Sequence, residues 1–232
     1  MKQLLSLGLA TVFLATGAIA QVGPSAQPEE VFRGVMRCSQ ENAELKASFT
    51  LNFRRLDSTW VSHRYDARTD EWTFLSGDIA SLKKHGRQAF EQLSAKLGRP
   101  GGLVPQDLEH TVGPLEFLEV KDGAWVYTFL PSAIRGEKPM PADMVEALEK
   151  RFVVDPATGC AAALSMTATR SYKPGFLTRV DEFAFEHRFA RVSGSDIPLL
   201  AGFTSRSKGT SLFSAYAEDK EATITDIEVI RD

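Results

Sequence analysis

The chain has 232 residues, of which 43% are apolar and 25% charged, and its formal net charge at pH 7 is −3. This composition is ordinary for a globular protein that buries one core. The charge is too small to indicate nucleic acid or an anionic membrane surface as an electrostatically bound partner.

The first 20 residues predict a cleaved secretory signal peptide. Lys2 precedes an apolar run over residues 4–14, and the exit at residues 17–20, with Ala18 and Ala20 in an Ala-x-Ala pattern, leads to Gln21. The apolar run is shorter than the roughly 20 residues that a membrane-spanning helix needs. Because Gln21 and not a cysteine would follow cleavage, we expect an exported protein without a lipid anchor.

Residues 21–232 contain two cysteines, Cys38 and Cys160. In an oxidising compartment a disulfide is the expected state of such a pair. Closing so long a loop is worth about 4–5 kcal/mol in lost chain entropy. We therefore predict a disulfide that ties an amino-terminal helix to the middle of the chain.

The first elements are a helix and a strand. Acidic residues directly after Pro28 suit the first turn of a helix. From Leu45 apolar and polar residues alternate, so that Phe49, Leu51 and Phe53 share one strand face. We expect that face to be buried and the other to be exposed.

Two more strands and a long helix follow. The strands are predicted at residues 60–66 and 71–76, the second ending at Gly77-Asp78. Residues 79–97 return to a helical period and stop at a glycine-rich segment. Gly86 weakens the pattern in the middle of that helix.

A hairpin lies between two shorter predicted helices. Asp122-Gly123 is a strong two-residue turn signal, and it joins strands at residues 116–120 and 125–130. The helices are predicted at residues 105–110 and, from a proline-rich entry, at residues 139–148.

The last third of the chain predicts strands without a helix. Residues 155–159 form a turn before it, and Lys208-Gly209 and Asp219-Lys220 supply turns within it. We expect four or five strands, at residues 162–170, 179–192, 199–207, 211–216 and 222–230. Residues 21–232 thus predict a single α+β domain with a large antiparallel sheet.

Recognised catalytic and metal-binding motifs are missing from the sequence. There is no Gly-x-Ser-x-Gly elbow, and Lys208-Gly209-Thr210 reads as a hairpin turn and not as a phosphate-binding loop. The histidines lack the spacing of zinc ligands, and no cofactor is predicted. They are His63, His85, His110 and His187.

Paired carboxylates offer the one enzymatic alternative. A glycosidase-like hydrolase needs two carboxylates facing one cleft, and sequence cannot place them face to face. Acids at hairpin ends are usually solvated, so we rank this function last. The candidates are Asp66, Asp70, Glu71, Asp181, Glu182 and Glu186.

Aromatic residues at strand period are the strongest functional signal. Any one of them is best explained as core, but a large curved sheet with few helices must either pack against a second layer or enclose a cavity. We expect a hydrophobic ligand to complete the interior. The predicted apolar wall comprises Phe49, Leu51, Phe53, Trp72, Phe74, Trp125, Tyr127, Phe129, Phe183 and Phe185.

Two short stretches resemble a known family. Residues 45–50, LKASFT, and residues 122–127, DGAWVY, look like the periplasmic lipoprotein carrier (LolA-like) family and its lipoprotein-receptor and sigma-factor-regulator relatives. The resemblance implies an unclosed antiparallel half-barrel whose concave face is covered by helices and holds acyl chains. It also implies a periplasmic location. Arg54, Arg55 and Arg64 are equally plausible counterparts of a lid-locking arginine.

The sequence therefore predicts an exported, non-enzymatic carrier or binding protein for a lipid, a lipoprotein acyl chain or another hydrophobic ligand. The expected partners are that ligand and, as an alternative, an envelope protein; neither nucleic acid nor a membrane-spanning segment is expected. The alternative is an envelope sensor or scaffold of the same fold that binds another protein through an exposed strand edge.

Overall fold

The computed structural model of the protein describes residues 28–56, 58–106, 108, 111–131 and 141–231. Of these residues 55% lie in strands and 21% in helices, so a sheet forms the frame of the domain. The predicted signal peptide, residues 1–20, lies outside the described residues.

Helices and strands alternate only in the first two thirds of the chain. The helices are α1 Pro28–Glu41, a 3-10 turn Ile79–Leu82, α2 Lys83–Leu97 and α3 Ala142–Ala147. The strands are β1 Lys46–Arg55, β2 Val61–Asp66, β3 Glu71–Ser76, β4 Val112–Lys121, β5 Ala124–Pro131, β6 Leu148–Asp155, β7 Cys160–Ala168, β8 Tyr172–Gly175, β9 Thr178–Arg191, β10 Pro198–Ser211 and β11 Ser214–Ile230.

All eleven strands belong to one antiparallel sheet that is not closed. Their order is β3-β2-β1-β11-β10-β9-β7-β6-β5-β4, and β8 pairs with β9 outside this path. The sheet therefore ends at β3 on one side and at β4 on the other. This confirms the predicted antiparallel α+β class and its open sheet.

The interior strand β1 is buried on both faces over part of its length. Phe49, Leu51 and Phe53 are fully buried, as their alternation predicts. Ser48 and Thr50 on the opposite face are buried as well, which corrects the expectation of one exposed face. The burial of Ser48 has a structural reason. Its hydroxyl accepts a hydrogen bond from the Ala67 amide at 3.0 Å, which holds the turn after β2 over this face of β1.

The helix predicted over residues 79–97 is interrupted at Lys83 and not at Gly86. Lys83 has a positive φ of 53°, which separates the 3-10 turn from α2. Gly86 lies inside α2, where an added Cβ would stand 3.1 Å from the Leu82 Cβ and 3.3 Å from the Arg55 Cδ. The glycine therefore permits close packing of α2 on the end of β1.

The hairpin predicted at Asp122-Gly123 is confirmed. Both turn residues have positive φ, 51° and 80°, and the flanking Lys121 and Ala124 are paired. This is the geometry of a type I′ turn, for which Asp-Gly is a favoured sequence.

The turns predicted in the last third are wrong. Lys208-Gly209 lies within β10, where the register with β9 shifts, and Asp219-Lys220 lies within β11. The chain reverses instead at Leu212-Phe213, between paired Ser211 and Ser214. A Cβ at Gly209 would stand 2.0 Å from the Arg179 carbonyl oxygen, so this glycine serves a close strand approach and not a turn.

The two shorter helices are partly described. The helix expected at residues 139–148 is found as α3, but it ends at Ala147 because Leu148 begins β6. The helix expected at residues 105–110 falls partly outside the described residues. The short strand β8 was not predicted.

The disulfide between Cys38 and Cys160 is confirmed, and it joins α1 to the start of β7. Val31 and Val35 of α1 are buried in a cluster with β-strand residues that include Phe152. Among the described residues no helix has both the length and the hydropathy needed to cross a membrane.

We predict that replacing both cysteines, Cys38→Ala with Cys160→Ala, lowers the free energy of unfolding by about 4 kcal/mol, since it releases a long loop in the unfolded chain. The cysteines lie 122 residues apart. Urea denaturation followed by tryptophan fluorescence measures the difference. Reductant should destabilise the unmodified protein by a similar amount and leave the double variant unchanged; equal midpoints for both proteins without reductant would contradict the prediction.

Candidate functional site

Three cavities lined by described residues bear on a binding site. One of about 590 Å³ lies between α1 and the start of β4 and reaches Pro28, the first described residue. A second of about 320 Å³ lies beside Tyr65 and carries the charged side chains of Lys46, Asp70 and Arg99. The third, of about 300 Å³, lies between α2 and the middle of β9, β10 and β11. We call this last one the α2 cavity.

The α2 cavity is the best candidate because its mainly apolar walls come from one helix and three strands, whereas the cavity of about 590 Å³ is lined by α1 and β4 alone and includes Glu29 and Arg33. The α2 cavity also contains Phe185, one of the predicted wall residues. The apolar walls are contributed by α2, β9 and β10: Leu93, Leu97, Phe185, Phe189, Leu200 and Phe203.

The segment after α2 closes one side of the cavity and is fixed at both ends. The Gly101 amide donates to the Leu45 carbonyl at 2.7 Å, and the Leu200 amide of β10 donates to the Leu103 carbonyl at 2.8 Å. The buried hydroxyl of Ser39 in α1 lies 2.7 Å from the Pro105 carbonyl, which it can reach as a donor. Contacts with α1, with β10 and with the residue before β1 thus hold this segment in place.

His187 is a partly buried polar residue among the aromatic walls. Its ring centroid lies 4.5 Å from that of Phe185, 5.8 Å from that of Phe203 and 6.4 Å from that of Phe189. Burial, followed by the positive charge of Lys96, lowers the pKa of His187 to about 4. The imidazole is therefore neutral near pH 7 and adds no charge to the cavity.

Basic residues stand at the border of the α2 cavity. Lys96 of α2 and Lys220 of β11 both line it, and Lys220 forms an ion pair with Glu218 at 3.5 Å. Among the described lining residues there is no carboxylate. The described lining therefore combines an apolar interior with a positively charged border.

The ten predicted wall residues do not form one surface. Five of them are fully buried and pack in the two larger core clusters: Phe49, Leu51, Phe53, Tyr127 and Phe129. Trp125 is also buried there, and Trp72 and Phe183 are partly buried against core clusters. Phe74 is exposed on the edge strand β3. Of the ten, Phe185 lines the α2 cavity.

The hairpin of β2 and β3 forms an aromatic cluster around His63. Its ring centroid lies 4.7 Å from that of Phe90 in α2 and 5.3 Å from that of Phe74. The His63 Nε2 is buried without a hydrogen-bond partner among the described residues, and burial lowers the pKa of the imidazole. Trp72 packs edge-on against Phe49, with ring centroids 5.6 Å apart. The cluster thus links the hairpin to α2.

The candidate acids on the β2–β3 hairpin have structural contacts. The Arg68 amide donates to Asp66 at 2.9 Å, and this hydrogen bond is the main cause of a lowered Asp66 pKa. The Tyr65 hydroxyl lies 2.9 Å from the Asp70 carboxylate, and burial together with that contact raises the pKa of Tyr65 to about 12. Glu71 is exposed at the start of β3.

The candidate acids on β9 are similarly engaged. Asp181 pairs with Arg179 at 2.7 Å, and Glu182 pairs with Lys208 at 3.0 Å. Glu186 lies opposite Ser165 of β7 in the middle of the sheet. The structure does not bring any of the six candidate acids to the described lining of the α2 cavity.

The three candidate arginines differ in their contacts. Arg54 donates to Glu221 and lies over the Trp60 ring, 4.9 Å from its centroid. Arg64 donates to the Asp226 carbonyl at 2.8 Å. The Arg55 side chain lies beside Gly86 of α2.

Metal binding has no support in the described part of the chain, where no group of three or more potential ligands is found. His110, one of the four histidines of the sequence, lies outside the described residues.

Sequence reasoning missed His187, Leu200 and Phe203 as site residues. His187 alternates with Phe185 and Phe189 along β9, so the period of two already places it on the aromatic face. Leu200 and Phe203 are separated by a register shift after Leu200, which a simple alternation does not reveal.

Comparisons of the chain with known protein families, with curated proteins and with solved structures give no match in any of the three. The functional proposal for this chain therefore rests on its own structure and sequence.

We predict that stability falls as the pH decreases from about 6.5 to about 4. The folded state keeps His187 neutral down to about pH 4, whereas the unfolded chain takes up the proton near pH 6.5. The unfolded state therefore binds more protons in this window and is favoured as the pH falls. At ~1.36 kcal/mol per pKa unit, His187 contributes at most about 3 kcal/mol, and His63 acts in the same direction.

Urea denaturation across that pH range tests this prediction. His187→Leu should flatten the dependence, while the matched variant His85→Leu, at an exposed position on α2, should retain it. An identical pH dependence in both variants would contradict the assignment to His187.

Proposed function

We propose that the protein is an exported, non-enzymatic carrier or binding protein that holds a hydrophobic ligand in the α2 cavity. The observation that carries this proposal is the cavity itself, whose apolar walls come from α2, β9 and β10 and include three phenylalanines. In the proposed arrangement the sheet is a half-barrel, and the helices cover its concave face.

The size of the α2 cavity supports a small ligand or part of a larger one. Its volume of about 300 Å³ lies at the lower end of the ~300–1,000 Å³ typical of small-molecule sites. Each methylene removed from water contributes about 0.8 kcal/mol, so a partly inserted acyl chain binds usefully without any directional contact.

The charged border favours an amphiphile with an acidic head. Lys96 and Lys220 line the cavity, and no described lining residue is a carboxylate. A fatty acid would place its chain among Leu97, Phe185 and Phe203 and its carboxylate near these lysines. Cationic side chains at the border of an apolar site attract such a ligand and orient it.

The resemblance to the periplasmic lipoprotein carrier (LolA-like) family and its relatives remains part of this proposal. An open antiparallel sheet with inserted helices is compatible with the half-barrel that the resemblance implies. Export to the periplasm, with removal of residues 1–20, agrees with the disulfide between Cys38 and Cys160, because such bonds persist in oxidising compartments.

We predict that Ser205→Trp prevents ligand binding. Ser205 lines the α2 cavity, so a tryptophan there fills the space. Thr204→Trp is the matched control, because adjacent strand residues point to opposite faces of the sheet. Titration with the fluorescent fatty acid cis-parinaric acid should show binding to the unmodified protein and to Thr204→Trp, and at least about tenfold weaker binding to Ser205→Trp.

Lipid extraction from protein purified from its own cells is the complementary test. Extracted acyl chains would support the proposal. Failure of the unmodified protein to bind cis-parinaric acid, together with the absence of extractable lipid, would contradict it.

A second candidate function is supported by the open edges of the sheet. β4 is an edge strand that exposes Phe117, Leu118 and Val120, and the opposite edge strand β3 exposes Phe74 and Leu75. Unpaired edges with apolar side chains are suited to strand addition by another protein. This arrangement favours the envelope sensor or scaffold as the alternative.

We predict that, if the scaffold function is correct, Leu118→Lys prevents co-purification of an envelope protein. A lysine on an edge strand opposes strand addition. Native mass spectrometry of gently purified protein measures the bound partner, and the exposed Leu130→Lys in the neighbouring strand β5 is the control. Retained lipid with no protein partner would favour the carrier.

A further inference from the structure

Two adjacent turns expose apolar side chains, and the phenylalanine of each is almost fully exposed. The turn between β8 and β9 contains Phe176 and Leu177, which are 99% and 42% exposed. The turn between β10 and β11 contains Leu212 and Phe213, which are 66% and 94% exposed. We call residues 175–178 and 211–214 together the aromatic tip.

The two turns form one structural unit. The Leu212 amide donates to the Leu177 carbonyl at 3.0 Å. The hydroxyls of Thr178 and Ser211 lie 3.3 Å apart, and these two residues are opposite each other in the pairing of β9 with β10. The four apolar side chains therefore extend from a hydrogen-bonded end of the sheet and not from two independent loops.

The turn at Leu212-Phe213 has an unfavourable sequence for its backbone. Both residues have positive φ, 48° and 66°, a region that branched and bulky residues rarely occupy. Two-residue hairpins of this type favour Asn-Gly or Asp-Gly, and the hairpin of β4 and β5 uses Asp122-Gly123. At the aromatic tip, neither burial nor backbone geometry explains Leu-Phe, so its presence points to a partner.

We propose that the aromatic tip inserts into the interface of a lipid bilayer. This goes beyond the proposed ligand binding and rests on different residues. Exposed aromatic and leucine side chains at the end of a rigid element reach the boundary between headgroups and acyl chains, where apolar groups need to enter only ~5–10 Å.

The charges around the aromatic tip favour a bilayer that contains acidic lipids. Lysine and arginine are the only charged residues in the segments 173–179 and 208–214. They are Lys173, Arg179 and Lys208. The latter two are paired with Asp181 and Glu182, which lie further along β9 from the turn. The Lys173 amide donates to the Asp143 carboxylate at 3.2 Å. Arg179 and Lys208 lie nearer the two turns than their paired acids, so phosphate groups meet these cations next to the inserted side chains.

The small apolar area favours a bilayer over a protein partner. A standard protein interface buries about 800 Å² on each side. Two phenylalanines bury about 150–250 Å² each, and the two leucines of the aromatic tip add less than that, one of them being under half exposed. A bilayer needs no complementary surface and accepts protruding side chains singly.

The position of the aromatic tip relates it to the α2 cavity. Ser205 lines the cavity and Ser211 ends the same strand, β10. Six residues of a strand span about 20 Å. Insertion of the tip would therefore bring the cavity close to the membrane surface from which a lipophilic ligand enters.

The test uses the protein expressed from its full sequence, with its amino terminus defined by mass spectrometry, and vesicles of equal parts phosphatidylcholine and phosphatidylglycerol. Leu212→Asn with Phe213→Gly supplies the favoured turn sequence, so this variant should fold and melt at the same temperature or higher. We expect it to reduce vesicle co-sedimentation about tenfold or more. Leu56→Asn, which removes an exposed leucine that also has a positive φ but lies outside the aromatic tip, should bind as the unmodified protein does.

A second measurement reports the tip directly. Brominated phosphatidylcholine should quench the emission of the Phe213→Trp variant more strongly than that of the unmodified protein, whose tryptophans lie elsewhere. Equal co-sedimentation of the double variant and the control, or no additional quenching, would overturn the proposal.

Two further outcomes would also overturn the membrane proposal. In the first, the unmodified protein self-associates but does not bind vesicles, and the double variant abolishes the self-association. In the second, the unmodified protein captures a protein partner that the double variant does not capture. Cis-parinaric acid binding is measured separately on the same variants, so failure of tip insertion and failure of ligand binding are distinguishable.

Discussion

The pairing of β1 with β11 is the contact on which the whole sheet depends. It matches residues 46–55 with residues 220–230, and it joins the meander of β1, β2 and β3 to the eight strands that begin at β4. It also brings Leu51 of the buried core opposite Ile224. Since the paired segments are far apart in the chain, this ladder forms only at a large cost in loop entropy. The disulfide between Cys38 and Cys160 reduces that cost by closing part of the same loop.

An open sheet of this size leaves distinct surfaces with different chemical character. The first half of the chain packs β1 and β2 against α2, and Phe53 and Phe90 lie 5.7 Å apart, centroid to centroid, at that contact. The second half leaves the α2 cavity beside His187. The edges at β3 and β4 and the aromatic tip remain exposed. The proposed ligand site and the proposed membrane contact lie on the same long strands, β9 and β10.

The acidic residues serve the sheet in a different way. Asp66 and Asp70 bind the turn and the tyrosine of the β2–β3 hairpin, while Asp181 and Glu182 pair with cations on β9 and β10. Each such exposed ion pair contributes little to stability, about 0–1 kcal/mol. These acids balance cations on the strands, and none of them lies in the described lining of the α2 cavity, where Lys220 pairs with Glu218.

The sequence by itself determined the local structure of much of this protein. The strand around Phe49 with its buried aromatic face, the turn at Asp122-Gly123 and the pair Cys38 and Cys160 each depend on neighbouring residues or on a single covalent bond, and each is confirmed. Tertiary structure decided which aromatic faces pack solidly and which border a cavity. Tyr127 and Phe185 show the same strand period, yet the first is fully buried in the core and the second lines the α2 cavity. Periodicity reports which side chains share a face, but only the distant elements packed against that face determine whether space remains. Gly209 and Leu212 illustrate the same point. A glycine is required at position 209 because the Arg179 carbonyl of the neighbouring strand lies where a Cβ would stand. The chain turns three residues later, at Leu212-Phe213, a sequence that local preference alone would not select.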